Sequence, residues 1–137
     1  MTFPLKDWVK AKRGYWFGEK TFYSSRHLGV DHIVPAGTGI FAPADCEIIY
    51  SGRGLQGGNT IWAFFRDKKY GPLVIRFMHL KKPGQKGKYK EGEIIGYTGN
   101  TGLLTTCPHL HTDISRNKVM IKSFKNFIDP EKFFNGE

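Results

Sequence analysis

The sequence predicts an all-β fold, an antiparallel barrel or sandwich, on three observations. Short runs that are apolar, or alternate apolar with polar, recur along the whole chain. Clusters of Gly, Pro, Asn and Asp separate them, with 17 Gly and 7 Pro in 137 residues, as strands joined by tight turns require. Only the tail carries a helical pattern.

Taken in order, strands are expected at residues 14–18, 30–34, 39–41, 46–51, 60–66, 73–79, 93–97 and 109–115. The turns between them fall at Pro35-Ala36-Gly37, Gly52-Arg53-Gly54, Gly57-Gly58-Asn59, Asp67 to Gly71 and Gly99-Asn100-Thr101-Gly102. Residues 73–79 are nearly all apolar, which marks a central strand. In the tail, Asp129 caps a turn begun by Pro130 and continued through Phe134. No repeat, linker or low-complexity segment breaks the chain, and its length suits one domain spanning residues 1–137.

Net charge is +9, from 21 Lys and Arg against 12 Asp and Glu. A small basic domain fits a polyanionic partner, whether nucleic acid, an acidic membrane surface or an anionic wall polymer. The densest basic stretch, Lys81 to Lys90, is broken by Pro and Gly and reads as an exposed loop. Most of the twenty aromatics lie within apolar runs and are expected in the core. No run approaches the roughly 20 apolar residues of a membrane span, and Met1 to Trp8 has no signal-peptide core. Synthesis in the cytoplasm with release by another route is therefore expected, or a chain already in mature form. Two cysteines, Cys46 and Cys107, are too few for a disulfide framework and read as free buried thiols.

The chemistry centres on Pro108-His109-Leu110-His111. On a strand, residues two apart share a face, so His109 and His111 present both imidazoles to one surface. They can serve as one metal ligand beside one transition-state partner, or as two ligands. Upstream stands His27-Leu28-Gly29-Val30-Asp31. Its spacing would align His27 and Asp31 on a helix, but Gly29, Val30, Ile33 and Pro35 favour a loop running into a strand. The helical zinc motif His-Glu-x-x-His is absent. His27, Asp31 and one histidine of the pair would make a catalytic zinc site, with three protein ligands and an open water position. His32 points away on an extended chain and is structural. His79 ends the central strand; it is either a packed core histidine or a partner in water activation and oxyanion stabilisation.

These pieces, in this order, resemble the LytM/lysostaphin-type zinc metallopeptidases, which cut peptide bonds in bacterial peptidoglycan. The likeness covers roughly Gly14 to Pro130. It includes Gly18-Glu19-Lys20, the His27–Asp31 motif, Pro35-Ala36-Gly37-Thr38, Ala42-Pro43-Ala44-Asp45 and Gly58-Asn59. Met78-His79-Leu80, the stretch from Gly92 to Gly102, and Pro108 to His111 complete it. The resemblance implies one Zn2+ held by His27, Asp31 and His111, with His79 and His109 as the catalytic pair. It also implies a groove-bearing antiparallel fold of the duplicated-hybrid type, and peptidoglycan stem or cross-link peptides as substrate for a monomeric enzyme acting at the cell wall. Compact, basic and without a leader, the chain fits a phage-type lysin.

Two departures from the family pattern stand out. Leu103 to Cys107 is about one residue longer than usual, with Cys107 in place of a small residue and close enough to the pair to be weighed as a thiol ligand. Thr112-Asp113 replaces an aromatic followed by an acidic or amide residue, a change expected to bear on substrate preference rather than on metal. Three rivals are weaker. A silent wall-binding adaptor would not need the intact site residues, and a histidine phosphocarrier leaves His27 and Asp31 idle. A nucleic-acid-binding domain leaves all the histidines unexplained.

Overall fold

A computed structural model describes residues 1–116 and 123–137. Among these residues ten strands form: β1 Lys12–Arg13, β2 Gly29–Ile33, β3 Gly39–Phe41, β4 Cys46–Gly54, β5 Gly58–Asp67, β6 Gly71–Leu80, β7 Gly87–Tyr89, β8 Ile94–Tyr97, β9 Leu110–Arg116 and β10 Phe127–Ile128. The helix α1, Pro130–Phe134, is short. As expected, Asp129 caps it, accepting a hydrogen bond from the Glu131 N–H, with Pro130 in the first turn.

One antiparallel sheet runs β1-β2-β9-β6-β5-β4-β7, with β10 also paired to β9, and β3 and β8 form a separate ribbon. Strand alternation gives the large sheet two different faces. Leu73, Ile75 and Phe77 of β6, Ile61, Ala63 and Phe65 of β5, and Leu110 and Ile114 of β9 point to one side. They form a core with Leu5, Trp8, Ile40, Ala42, Ile95 and Phe133. The N-terminal segment, the β3–β8 ribbon and α1 thus cover that face. The opposite face carries Thr60, Trp62, Arg76, Met78, His111 and Asp113, which line a groove.

Several expectations change. Residues 14–18 are not a ladder strand; β1 lies just before them, and the chain turns, with Gly18 at φ 81. The segment still follows β2, since the Gly14 N–H donates to the Asp31 carbonyl and the Asp31 N–H to that of Tyr15. The basic loop contains a strand, β7, because Gly87, Lys88 and Tyr89 pair with the edge of β4. Among the aromatics only Trp8, Phe65, Phe77, Phe127 and Phe133 are buried. Many of the others face solvent or the groove, which periodicity could not tell from core. Cys46 and Cys107 are both unpaired, Cys46 buried and Cys107 half-buried.

Candidate metal centre and catalytic groove

Antiparallel pairing of β2 with β9 puts Asp31 directly opposite His111. The pairing is tight at Gly29: a Cβ there would run into the Thr112 carbonyl and come within 2.8 Å of the Asp113 Cβ. The glycine between His27 and Asp31 is what lets the two strands meet. His27 stands just before β2 and turns back over it. Ligating atoms of His27, Asp31 and His111 all lie within 4.8 Å of one another, so this group is able to hold a metal ion. Asp31 Oδ1 is 2.9 Å from His111 Nδ1 and 3.5 Å from His27 Nε2.

The hydrogen bonds decide which ring nitrogens are available. His27 Nδ1 donates to the Trp16 carbonyl at 3.3 Å, while its buried Nε2 has no hydrogen-bond partner. Burial first, then the neighbouring His111, lowers its pKa, so the ring is neutral and Nε2 carries a lone pair. A buried, unsatisfied lone pair facing a carboxylate is poorly placed in a protein without a cation. His111 Nε2 donates to Asp113 at 2.8 Å, leaving Nδ1 toward Asp31. Burial would lower the His111 pKa, but hydrogen bonds to Asp113 and Asp31 outweigh it and raise it to about 9. One neutral imidazole nitrogen, one carboxylate and a second imidazole held by a carboxylate are the kind of donor set that suits zinc with an open position. The chemistry of the group fits the metal.

Asp113, expected to bear on substrate preference, lines the groove; its side chain is also fully buried and bridges His111 to Arg76. Arg76 Nε and one terminal nitrogen each donate to it at 2.7 Å. Burial would raise its pKa, yet the Arg76 charge and the His111 hydrogen bond hold it at about 2. The signal was present as alternation, since residues 109, 111 and 113 share one face of β9. Arg76 had no such signal, and only the β6–β9 register, with Arg76 opposite Asp113, brings it there.

His79 and His109 stand beside the group, their ring centroids 4.5 Å apart. By alternation His79 should share the core face with Phe77. It is instead the single non-glycine with positive φ among the described residues, at 65°, and this left-handed backbone brings its ring into the groove. Such a conformation costs about 1–3 kcal/mol and persists where surrounding structure holds it. Here the His79 N–H donates to the Gly57 carbonyl at 2.7 Å and its Nδ1 donates to Thr101 at 2.7 Å. Burial lowers the His79 pKa to about 4. His109 Nδ1 donates to the Cys107 carbonyl at 2.9 Å, and its Nε2 lies 4.0 Å from Asp31 Oδ1. Both rings therefore keep their Nε2 lone pairs for the site. His32, as expected, faces away, fully buried against Trp8 and Glu131. Cys107 is absent from the metal-capable group among the described residues.

The profile of peptidase family M23 matches residues 25–123. The chain is 35% identical over 120 residues to the glycyl-glycine endopeptidase ALE-1 of Staphylococcus capitis, covering 84% of this chain and 31% of that protein. It is 30% identical over 97 residues to the peptidoglycan DD-endopeptidase ShyC of Vibrio cholerae, covering 68% of this chain and 21% of ShyC. Among solved structures, the catalytic domain of the antimicrobial peptidase lysostaphin from Staphylococcus simulans superposes with a TM-score of 0.75 at 29% identity, covering 91% of this chain and 92% of that one. The chain spans about a third or less of the length of these curated relatives.

Proposed function

The chain belongs to peptidase family M23, and we propose that it is a zinc-dependent endopeptidase that hydrolyses peptide bonds of bacterial peptidoglycan at the cell wall. One observation carries the reading. The unsatisfied Nε2 of buried His27 faces the Asp31–His111 pair, with two further histidine lone pairs beside it.

His27 Nε2, Asp31 and His111 Nδ1 would hold the zinc, and His79 and His109 would form the catalytic pair. When bound there, the metal supplies a Lewis acid that polarises the scissile carbonyl and acidifies water. The chain itself supplies proton transfer and positioning. His79 and His109, each fixed by an Nδ1–H bond to a backbone carbonyl, present Nε2 as proton acceptors. The ring that takes the proton of the attacking water becomes a donor. It can then stabilise the developing oxyanion or protonate the leaving amine. Asp113, itself held by Arg76, keeps the His111 proton on Nε2.

The substrate class rests on the relatives, one named a glycyl-glycine endopeptidase and another a peptidoglycan DD-endopeptidase. The net charge of +9 fits attraction to anionic wall polymers. No helix among the described residues is long and apolar enough to cross a membrane.

The test is release of new peptide ends from purified cross-linked peptidoglycan, read by mass spectrometry. Release should disappear on chelation, return with zinc, and be lost in His111→Ala. Zinc binding without release from several wall chemistries would overturn the endopeptidase reading in favour of a wall-binding adaptor.

A further inference from the structure

The groove extends well beyond the histidines. A single cavity of about 780 Å³ runs from His27 and His111 to Tyr50 and Trp62. Those two aromatics lie directly opposite each other on β4 and β5, with ring centroids 4.8 Å apart and planes tilted by 40°. Tyr50 remains 39% exposed, on a part of β4 that pairs on one side only.

Its position depends on a local irregularity. Ile48 faces Ala63, and both are in the core. Regular pairing would then set Ile49 against Trp62 and turn Tyr50 into the core. A bulge between Ile48 and Tyr50 inserts one residue and delivers Tyr50 to the groove face instead, as bulges do when they re-aim a side chain. Gly52 completes the arrangement, since a Cβ there would meet the Tyr50 hydroxyl at 2.5 Å. The ring lies along its own strand, over the glycine, and lines the groove. Arg76, the charged group nearest Trp62 by register, is committed to Asp113. The platform is thus aromatic, open and flanked by a neutralised charge.

We propose that Tyr50 and Trp62 form a carbohydrate-stacking subsite for a sugar ring of the glycan strand that bears the cleaved peptide. This rests on the peptidoglycan reading above. Sugar rings present C–H faces that pack on aromatic faces while their hydroxyls stay in water, which suits an uncharged aromatic pair lining an open groove better than a charged peptide side chain does. The span agrees. Trp62 lies two strands from His111, about 10 Å, and one two-residue step along the sheet, about 7 Å. The separation is therefore about 12 Å, which an extended peptide of three to four residues covers at about 3.3–3.6 Å per residue. A sugar at the foot of a short stem peptide reaches the platform when the bond to be cut lies at the histidines.

Two measurements test this. First, a soluble N-acetylglucosamine oligomer is titrated into the protein while the Trp62 indole N–H resonance is followed. A saturable shift that Tyr50→Leu abolishes supports the subsite; no shift at millimolar oligomer overturns it, whatever the peptidase activity. Second, wild type, Tyr50→Leu and Trp62→Leu are assayed on cross-linked stem peptides with and without their disaccharide. Wild type should prefer the sugar-bearing substrate by about tenfold in kcat/KM, the scale of one or two stacked rings. The preference should fall to about one in both variants. Equal rates on the two substrates in wild type, or a preference that survives in both variants, would place the platform on peptide or on packing alone. If no peptide of either kind is cut, it is the endopeptidase reading that fails, and the titration still decides the subsite.

Discussion

Asp113→Asn removes one negative charge from a fully buried cluster while keeping the side chain's shape. Three donors point at this carboxylate: two from Arg76 at 2.7 Å and the His111 Nε2–H at 2.8 Å. An amide has one oxygen and must turn its NH2 toward at least one of them. Whichever way it turns, the neutral amide leaves the buried Arg76 guanidinium without its counter-charge, and breaking a buried pair in this way costs about 3–5 kcal/mol. Toward His111 it favours the tautomer with the proton on Nδ1, the atom that faces Asp31 and would bind the metal. Loss of such a partner lowers metal affinity by about 10- to 100-fold, or about 1.4–2.7 kcal/mol. Urea unfolding of the metal-free protein reads the first effect, and zinc competition against a chromogenic chelator at pH 7 reads the second. The double variant Arg76→Met, Asp113→Leu separates them, because it removes the stranded charge and leaves no acceptor for His111; it should recover most of the stability but not the affinity. If Arg76→Met, Asp113→Leu takes up zinc within twofold of wild type, Asp113 serves Arg76 alone and does not orient His111.

Two further outcomes follow from the geometry. In the metal-free protein His79, buried with a pKa of about 4 against about 6.5 when unfolded, binds its proton better in the unfolded chain. Its contribution is present above pH 6.5 and is lost as pH falls toward 4, by a total on the order of 3 kcal/mol; an acid-unfolding midpoint unchanged in His79→Gln would contradict this. Gly29→Ala should destabilise the protein by several kcal/mol and weaken zinc binding together. The added methyl meets the Thr112 carbonyl and forces apart the two strands that carry Asp31 and His111; thermal unfolding and zinc competition should move in parallel, and a wild-type melting curve would refute the close-approach argument.

Features under local control were legible in the order of residues. Alternating apolar runs and Gly-rich turns specified strands at β2 to β6, β8 and β9 to within a few residues, and Asp129-Pro130 specified the helix start. Two-residue periodicity placed His109 and His111 on one face, and would have placed Asp113 with them had the count been carried one step further. The motif resemblance pointed to His27, Asp31, His79, His109 and His111, which the structure brings close together. Tertiary structure decided what depends on pairing between distant segments. The β2–β9 register brought Asp31 to His111, and the β6–β9 register set Arg76 against Asp113. Two irregularities reversed the parity that the sequence implies. A left-handed backbone at His79 turned that ring out of the core and into the groove. A bulge in β4 did the same for Tyr50. Side-chain facing follows strand periodicity only while the ladder is regular, and where it breaks is set by partners far along the chain.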